Sequence, residues 1–600
     1  MCAVFGILGG HDPAAARRAL GRLRHRGPDH CGIVERPGLF FAHRRLQITD
    51  PHPRAVQPMR RGGVVLSFNG EIYNFRQLKA QLDFPFQTDS DTEVLIAAYL
   101  AWGPAFVERL VGMFAIALLD GDDLYLYRDR FGKKPLFCLH DGTRFAFASE
   151  IKALVPLLKS VRMNEDALMG YLSFLAPTAP HTFFDGIHKP EPGTMLHYDG
   201  KRLVTKRYYC VLDTAPGTLR DPAKAAAEIQ TRLRDAVALR LKADAPVCAL
   251  LSGGIDSATI AALARTRGEA PQTFTLGYRE YPKYDERDNA AQTARLLGVS
   301  NRAVEIDRNR FIDASDAVLD TLDEPLNDPA AVPLYLLFKA IAKEGYKVVL
   351  SGEGSDELFL GYRQYFEYLD IEKAAELGHR NWLKKYFRAH FSMQREWEWY
   401  KRVFEGELLF RTSGEKFTDL QKNLLMRRNV RDGESLKYLA PWRERFERSG
   451  RTDPADWYSY VDLMHFQAEH FLVKLDRVSM AHGIESRTPF LDHRLAETVF
   501  GIDPSLRVGD GRPKSLLKAV AASWLPETVL NRRKKGFSNP YMEYLIDSGR
   551  IALIETVNEQ TGLFHRPVLN EYLDLARRGR FKQHVWGLYV LSKWIDRHLL

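Results

Sequence analysis

The sequence predicts a two-domain protein of mixed α+β and α/β character. An α+β sandwich is expected over residues 2–210. A doubly wound parallel sheet is expected over 225–600, with a helical insertion at about 364–460. Three observations predict this. At 600 residues the chain exceeds what one hydrophobic core holds. The N-terminal third reads as many short strands parted by turn residues. Beyond residue 225 the pattern becomes strand, glycine turn and helix, repeated, which marks a parallel sheet.

The opening stretch "MCAVFGILGG" is a short apolar strand with Cys2 at its start. On its own this cysteine reads as a buried strand residue, a piece of a targeting segment, or a nucleophile freed by loss of Met1. The first is the default, because free Cys is among the most buried residue types. A secretory signal is not expected, since no basic region precedes the apolar run and the run stops at Gly9-Gly10. Further strands are "GGVVLSFNGEIYN", "GMFAIALLDGDDLYLYRD" and "RFAFASE". "SDTEVLIAAYLAWG" has helical spacing and stops at Gly103. A Pro/Gly/Thr-bearing linker covers 211–224. Asp221-Pro222 then opens a helix, with Asp as cap and Pro at the first helical position. "APVCALL", "QTFTLGY" and "KVVLSG" are the strands of the second half. "SATIAALARTRG" and "RDNAAQTARLLG" are its helices. Residues 364–460 are rich in aromatics and charges and read as helical.

Composition narrows the function classes. Hydrophobic residues make up 45% and charged residues 27%, ordinary for a soluble globular protein. No apolar run approaches the ~18 residues of a membrane span. Cys2, Cys31, Cys138, Cys210 and Cys248 are odd in number and far apart, with no CxxC pair. That argues against a disulfide framework and a structural zinc site, and fits a reducing cytoplasm. The net charge is +9, but Lys and Arg are scattered among acids. The densest cluster, Arg532-Arg533-Lys534-Lys535, reads first as a solvated loop and second as a phosphate contact.

Two loops carry chemistry. In "LLSGGIDSATI", Leu250 to Ile260, a strand ends, Ser252, Gly253 and Gly254 turn the chain, and a helix starts near Asp256-Ser257. Backbone N–H groups of such a turn, with the helix N-terminus, suit a phosphate. It is not a Walker A loop. A lone SGG turn would read as an ordinary strand-to-helix connection. A second loop changes that. "SGEGSDE", Ser351 to Glu357, also follows a strand, and both loops lie at the carboxyl edge of a doubly wound sheet. Asp256 and Asp356 are two carboxylates beside a phosphate, which is what Mg²⁺ requires.

"SGGIDS", with "SGEGSDELF" and "SMAHGIESRTPFLD", resembles the ATP pyrophosphatases that adenylate carboxylates. More closely, the chain resembles the glutamine-hydrolysing asparagine synthetases and their β-lactam-synthetase relatives over nearly its whole length, most weakly at 364–460. The resemblance implies an HUP-like ATP-pyrophosphatase fold for the second domain and an Ntn-hydrolase αββα sandwich for the first. It implies that Leu250, Ser252, Gly253, Gly254, Asp256, Ser257, Leu276, Ser351 and Gly352 bind ATP and its pyrophosphate, and that Asp256 and Asp356 hold Mg²⁺. It makes Lys514, in "DGRPKSLLK", the catalytic lysine, offsetting charge on the pyrophosphate and the tetrahedral intermediate. It places Glu353 near the reacting carboxylate. Lys474, Asp476 and Arg477 match a further stretch of the family.

The resemblance also implies an N-terminal glutaminase. Its chemistry can be argued independently. Hydrolysis of a side-chain amide needs a nucleophile, a base, an oxyanion hole and clamps for the substrate's α-groups. Cys2 without Met1 supplies the first two, because an α-amine of pKa about 7.7–8.0 can activate its own side chain. By resemblance, Asn69 and the Gly70 N–H form the oxyanion hole. Glu71 and Asp91 hold the glutamine ammonium, and Arg45, the arginine followed by Leu, grips its carboxylate. "RHRGPD" and "RDRFGKKPL" read as structural loops near the site.

The expected reaction is a two-site amidation. Glutamine is hydrolysed at Cys2, and ATP converts a carboxylate into an acyl-adenylate. Ammonia, channelled between the sites, displaces AMP. Aspartate is the first expectation for the acceptor, giving asparagine. The runner-up is the same chemistry on another carboxylate, a uronic acid sugar or a peptide or secondary metabolite. Three departures motivate it: "DEPLNDPAAVPLY" at 323–335, where some asparagine synthetases carry an Arg-Ala-Ser-Thr stretch, Leu360, where a glycine is common, and the unusual 364–460 region. A cyclase, a catalytically dead scaffold and a nucleic-acid-modifying enzyme rank lower. No nucleic acid or membrane partner is expected, and a homodimer is compatible with the resemblance.

Overall fold

Strands of the N-terminal half carry apolar side chains on both faces, so each sheet must be covered twice. The structure is a computed structural model describing residues 2–266, 268, 270–391, 395–407, 409–410, 416–427, 434–533 and 538–600. It stacks two antiparallel six-stranded sheets. The first runs Ile187–His188, Phe137–His140, Arg144–Ala148, Ala3–Gly9, Leu39–Arg45, His30–Arg36. The second runs Leu203–Arg207, Thr194–Tyr198, Asp123–Arg128, Gly112–Asp120, Val64–Ile72, Met59–Arg61. Alternation along each strand sorts the side chains. Val4, Phe41 and Phe147 of the first sheet meet Ala115, Ala117 and Leu126 of the second in an inner core. Ala3, Phe5 and Ile7 point the other way, onto Ala16, Ala19 and Leu20 of the helix Pro13–Gly21. Phe114, Ile116 and Leu118 pack on Val94, Leu95 and Ala98 of the helix Asp91–Trp102. Helix, sheet, sheet, helix is the expected αββα order.

The second half is built on five parallel strands in the order Asn301–Glu305, Thr273–Gly277, Val247–Leu250, Val348–Leu350, Glu485–Arg487. In chain order these are the third, second, first, fourth and fifth, so the winding reverses between Val247–Leu250 and Val348–Leu350. Such a reversal opens a crevice at the carboxyl ends of the strands. The two glycine loops leave these two strands, side by side. Apolar runs mark only the three inner strands. The outer two carry charged residues and no such signal.

The helix Pro222–Arg240 starts as its sequence dictates, with Asp221 accepting from the N–H of Ala223 at 2.8 Å and of Lys224 at 3.0 Å. Between the fourth and fifth strands the described residues are mostly helical, from Arg363–Glu372 to Pro454–Val461. There the helix widens into a π-helical stretch, Asp462–Phe471, and continues as Leu472–Met480. Among the described residues no helix is long and apolar enough to cross a membrane.

The halves are locked by buried ion pairs. Arg26 reaches Asp476 at 2.7 Å and Glu150 at 2.8 Å, and Arg477 reaches Glu150 at 2.9 Å and Asp323 at 3.0 Å. Within the first half, "RDRFGKKPL" is indeed structural. Asp129 Oδ1 accepts from the N–H of Phe131 and Lys133, both at 3.1 Å, and Oδ2 from those of Lys134 at 2.9 Å and Phe114 at 3.2 Å. Asp129 is buried, so removing it leaves four backbone donors without water or partner. Asp129→Ala is expected to cost about 3 kcal/mol, lowering the melting temperature of the N-terminal half by roughly 6–12 °C. Calorimetry on the full chain measures it; an unchanged melting profile contradicts this account of the loop.

Candidate active sites

The first site forms where the first strand begins. Cys2 is 7% exposed. Its backbone nitrogen donates to Asn69 Oδ1 at 3.1 Å, and its Sγ lies 4.0 Å from the Leu46 carbonyl. That bond fixes which way the Asn69 amide points. Its Nδ2 is buried and makes no hydrogen bond among the described residues. A buried donor left open beside a thiol is what an oxyanion needs. The next residue, Gly70, pairs with Phe114 across the sheet. A Cβ there would meet the Met113 carbonyl oxygen at 2.1 Å, so only glycine fits. "RHRGPD" wraps the same corner, with Arg26 Nε donating to the Cys2 carbonyl at 3.2 Å. Burial pushes the Cys2 thiol up from its ordinary range.

Carboxylates gather on one side. Asp91, at the first turn of its helix, accepts from the Ile72 N–H at 3.1 Å. Glu71 accepts from the Thr49 hydroxyl at 3.0 and 3.2 Å. Glu485 and Arg487, from the last strand of the parallel sheet, face them. Arg487 Nε donates to Glu485 at 2.5 Å, and its Nη2 lies 3.4 Å from Glu71 Oε2. Burial pushes Glu71 up to about 8, with Arg487 opposing and Asp91 and Glu485 reinforcing. Burial likewise pushes Asp91 up to about 7, the Ile72 N–H opposing and Glu485 reinforcing. Three carboxylates thus share one buried space, with Arg487 bonded to Glu485 and only closing on Glu71. Arg45 is buried beside them, its guanidinium steadied by the carbonyls of Asp50 at 2.5 Å and of Thr49 and His52 at 3.3 Å.

The second site lies in the crevice. Gly253 has φ +77°, and a Cβ there would meet backbone of Asn289 at 2.9 Å and Ala290 at 3.0 Å. Ser257 Oγ accepts from the Ser252 N–H at 3.1 Å, curling the loop onto the helix Ile255–Arg265. Arg532 donates to the Gly253 carbonyl at 2.6 Å. It therefore braces the loop rather than standing in solvent; Lys534 and Lys535 lie outside the described residues. From the neighbouring strand, the N–H of Ser351 bonds the Arg487 carbonyl at 2.9 Å. A Cβ on Gly352 would touch Asp256 Cβ at 3.1 Å, so the loops abut. Leu250 and Leu276 add apolar surface at the carboxyl ends of their strands.

Lys514 joins the two loops. Its Nζ donates to both oxygens of Asp256 at 2.5 Å and lies 2.7 Å from Asp356 Oδ1. Burial disfavours its charge, yet Asp256 and Asp356 hold it well above the usual range. Glu353 is pushed up by burial; Lys474 opposes this, and Asp328 and Asp356 reinforce it. Lys474 in turn donates to Asp328 at 2.6 Å. Among the described residues no group of three or more His, Cys, Asp or Glu is placed to hold a metal. The two aspartates do converge on one cation position, taken here by the Lys514 ammonium. Hard carboxylate oxygens with phosphate oxygens as the remaining donors fit Mg²⁺.

The sequence residues fall into these two clusters. Reading the sequence missed Glu485 and Arg487 as neighbours of the first site, and Asp328 and Arg532 as neighbours of the second. "GIESRTPFLD" contains the first pair, but three polar residues of a short strand show no period that says which way they point.

Comparison with known proteins agrees with the geometry. Residues 228–596 match the family model described as asparagine synthase, and residues 1–209 match that of a glutamine amidotransferase domain. The chain is 31% identical to glutamine-hydrolysing asparagine synthetase 1 of Bacillus subtilis (strain 168), over 99% of this chain and 96% of that protein. It is 29% identical to asparagine synthetase 3 of the same organism, over 96% and 93%. It is 28% identical to the amidase chry2 of Gibberella zeae, over 87% and 84%.

The raised carboxylates give a pH signature. Glu71 stays protonated in the folded chain up to about 8, whereas its ordinary value is 4.5. Between these values the unfolded chain binds fewer protons, so stability falls as pH rises, by at most about 1.4 kcal/mol per unit. Glu71→Gln should therefore change the melting temperature little at pH 5 and raise it by several degrees at pH 8. A gain independent of pH would count against a buried, coupled Glu71–Asp91 pair.

Proposed function

The chain belongs to the asparagine synthase family, with a glutamine amidotransferase domain ahead of the synthase domain, and from that premise we propose that it amidates aspartate. The nitrogen would come from glutamine hydrolysed at Cys2, and ATP would activate the acceptor. The observation that carries the first half is the open Asn69 Nδ2 beside Cys2.

In this reading the α-amine of Cys2, once free, takes the thiol proton. Sγ attacks the glutamine amide, and Asn69 Nδ2 with the Gly70 N–H receives the oxyanion. As the intermediate collapses, the α-ammonium returns its proton to the leaving nitrogen, releasing ammonia and leaving a γ-glutamyl thioester, which water cleaves to glutamate. Asp91 and Glu71 hold the substrate ammonium, and Arg45 its carboxylate. In the crevice, Ser252 to Ser257 and Ser351-Gly352 cradle the pyrophosphate of ATP, with Leu250 and Leu276 beside the nucleotide. Asp256 and Asp356 would hold Mg²⁺, which when bound neutralises phosphate charge. Lys514 sits between them, placed to follow negative charge onto the departing pyrophosphate. The acceptor carboxylate becomes an acyl-adenylate near Glu353. Ammonia attacks it, giving the amide and AMP. A channel with apolar walls between the sites would keep ammonia unprotonated.

A second acceptor class has its own support. Asp328, in "DEPLNDPAAVPLY", forms a buried ion pair with Lys474, and the charges of both act on Glu353. A relative matched over 87% of this chain carries the name amidase. Amidation of another carboxylate, a uronic acid sugar or a peptide or secondary metabolite, is therefore the alternative.

Pyrophosphate release with glutamine, ATP, Mg²⁺ and a panel of carboxylates tests the acceptor. Aspartate should give the largest kcat/KM; no response to aspartate overturns that assignment and leaves the alternative. Cys2→Ala should abolish glutamine-dependent amidation and spare the ammonium-dependent reaction. Asn69→Ala should lower the glutaminase kcat by about 100- to 1,000-fold. Loss of both activities in Cys2→Ala would contradict the division of labour.

A further inference from the structure

One residue belongs to both sites. Arg487 ends the strand Glu485–Arg487 and is wholly buried. Leu350, the last residue of the strand before the second glycine loop, is its parallel partner. Its carbonyl accepts the N–H of Ser351, the first residue of that loop, at 2.9 Å. Its side chain leaves in the other direction. Nη1 donates to the carbonyls of Arg240 at 2.9 Å and Lys242 at 2.7 Å, and Nε to Glu485 at 2.5 Å. The remaining nitrogen, Nη2, closes on Glu71 at 3.4 Å but makes no formed hydrogen bond among the described residues. Three of the four groups around this guanidinium are therefore fixed. The fourth is Glu71, in the pocket expected to take the glutamine ammonium.

We propose that Arg487 is the positioning residue that couples the two sites, its side chain reading the Glu71 pocket while its carbonyl holds the entrance of the Ser351–Asp356 loop. The proposal rests on the two-site reading above and deepens it. Glu71 and Glu485 both face this one guanidinium, and the charge of Asp91 acts on both carboxylate neighbours. An ammonium bound at Glu71 and Asp91 would offset their mutual repulsion and let Glu71 close the bond to Nη2. A guanidinium held at every nitrogen fixes the strand to which it belongs. The strand carries the Ser351 N–H, and through Ser351 the loop whose Ser355 donates to Asp256 at 2.6 Å. Glutamine in one site and ATP in the other should thus bind more tightly together than apart, by the same factor in each direction.

The test uses the full-length enzyme and measures glutamate release against glutamine concentration, with and without ATP·Mg²⁺. In the wild type, ATP should lower the KM for glutamine about fivefold or more. Arg487→Lys, which keeps the charge but cannot span Glu71, Glu485 and the two carbonyls, should bring the two KM values within twofold of each other. Glu485→Gln should shift the ratio in the same direction, and it carries the test if Arg487→Lys does not fold. Reciprocity is read in Cys2→Ala, which holds glutamine without turning it over. Titration calorimetry should give a Kd for ATP lowered by glutamine by the same factor. A full ATP response in both Arg487→Lys and Glu485→Gln overturns the proposal, and so does a wild type that hydrolyses glutamine indifferently to ATP. A wild type with no glutaminase activity overturns the two-site reading itself.

Discussion

Much of this structure depends on a set of charges kept from water. Arg26, Glu150, Asp476, Arg477 and Asp323 are all buried and pair with one another where the two halves meet. A lone buried charge costs several kcal/mol, so such a set is tolerable only when each member finds its partners in place. The pairs therefore specify the docking of the halves. Burial works against the ionised Glu150 carboxyl, yet Arg477, Lys152 and His25 hold it well below the carboxylate range. Arg26 carries the constraint into the chemistry, because the same guanidinium that binds Asp476 also holds the Cys2 carbonyl.

The second site shows a different constraint, in the backbone. Lys514 stands at φ +61°, where a side chain is disfavoured, and Leu360 at φ +50°. Between Leu360 and the charged cluster, Gly361 leaves no room for a side chain: a Cβ would meet Asp356 Oδ1 at 2.0 Å and Lys514 Cε at 2.4 Å. The left-handed backbone at 360 explains why a glycine is the easier residue there. Leucine accepts a cost of roughly 1–2 kcal/mol and is nonetheless buried, 1% exposed, with its side chain packed in the core.

How much the sequence disclosed follows from where each residue stands. The strands of the N-terminal sandwich and the inner parallel strands were legible because they rest on apolar periodicity, as in "RFAFASE" and "KVVLSG", whereas the αββα layering came only with the resemblance. The Asp221-Pro222 helix start and the Gly103 stop were legible because their chemistry is local. Cys2, Asn69 and the glycine loops were legible only through their order along the chain, as a resemblance. Each of them alone has an ordinary structural explanation. What stayed hidden depends on long-range pairing. Nothing local says that Glu485 and Arg487 face Glu71, more than four hundred residues earlier in the sequence. Arg532 read as part of a solvated basic run until the fold brought it against Gly253.

The burial of Cys2 has a consequence for how the enzyme is made. The mechanism proposed above needs a free α-amine on Cys2, yet the folded chain encloses that nitrogen against Asn69 and clamps the adjoining carbonyl with Arg26. Whatever precedes Cys2 is best removed before this corner closes. Asp476, which completes the Arg26 clamp, leaves the ribosome roughly 24–95 s after Cys2 at 5–20 residues per second. Under the proposed mechanism, maturation of the nucleophile is then a race within translation: a chain trimmed only after this corner closes would keep its α-amine blocked and be left with the ammonia-dependent reaction alone.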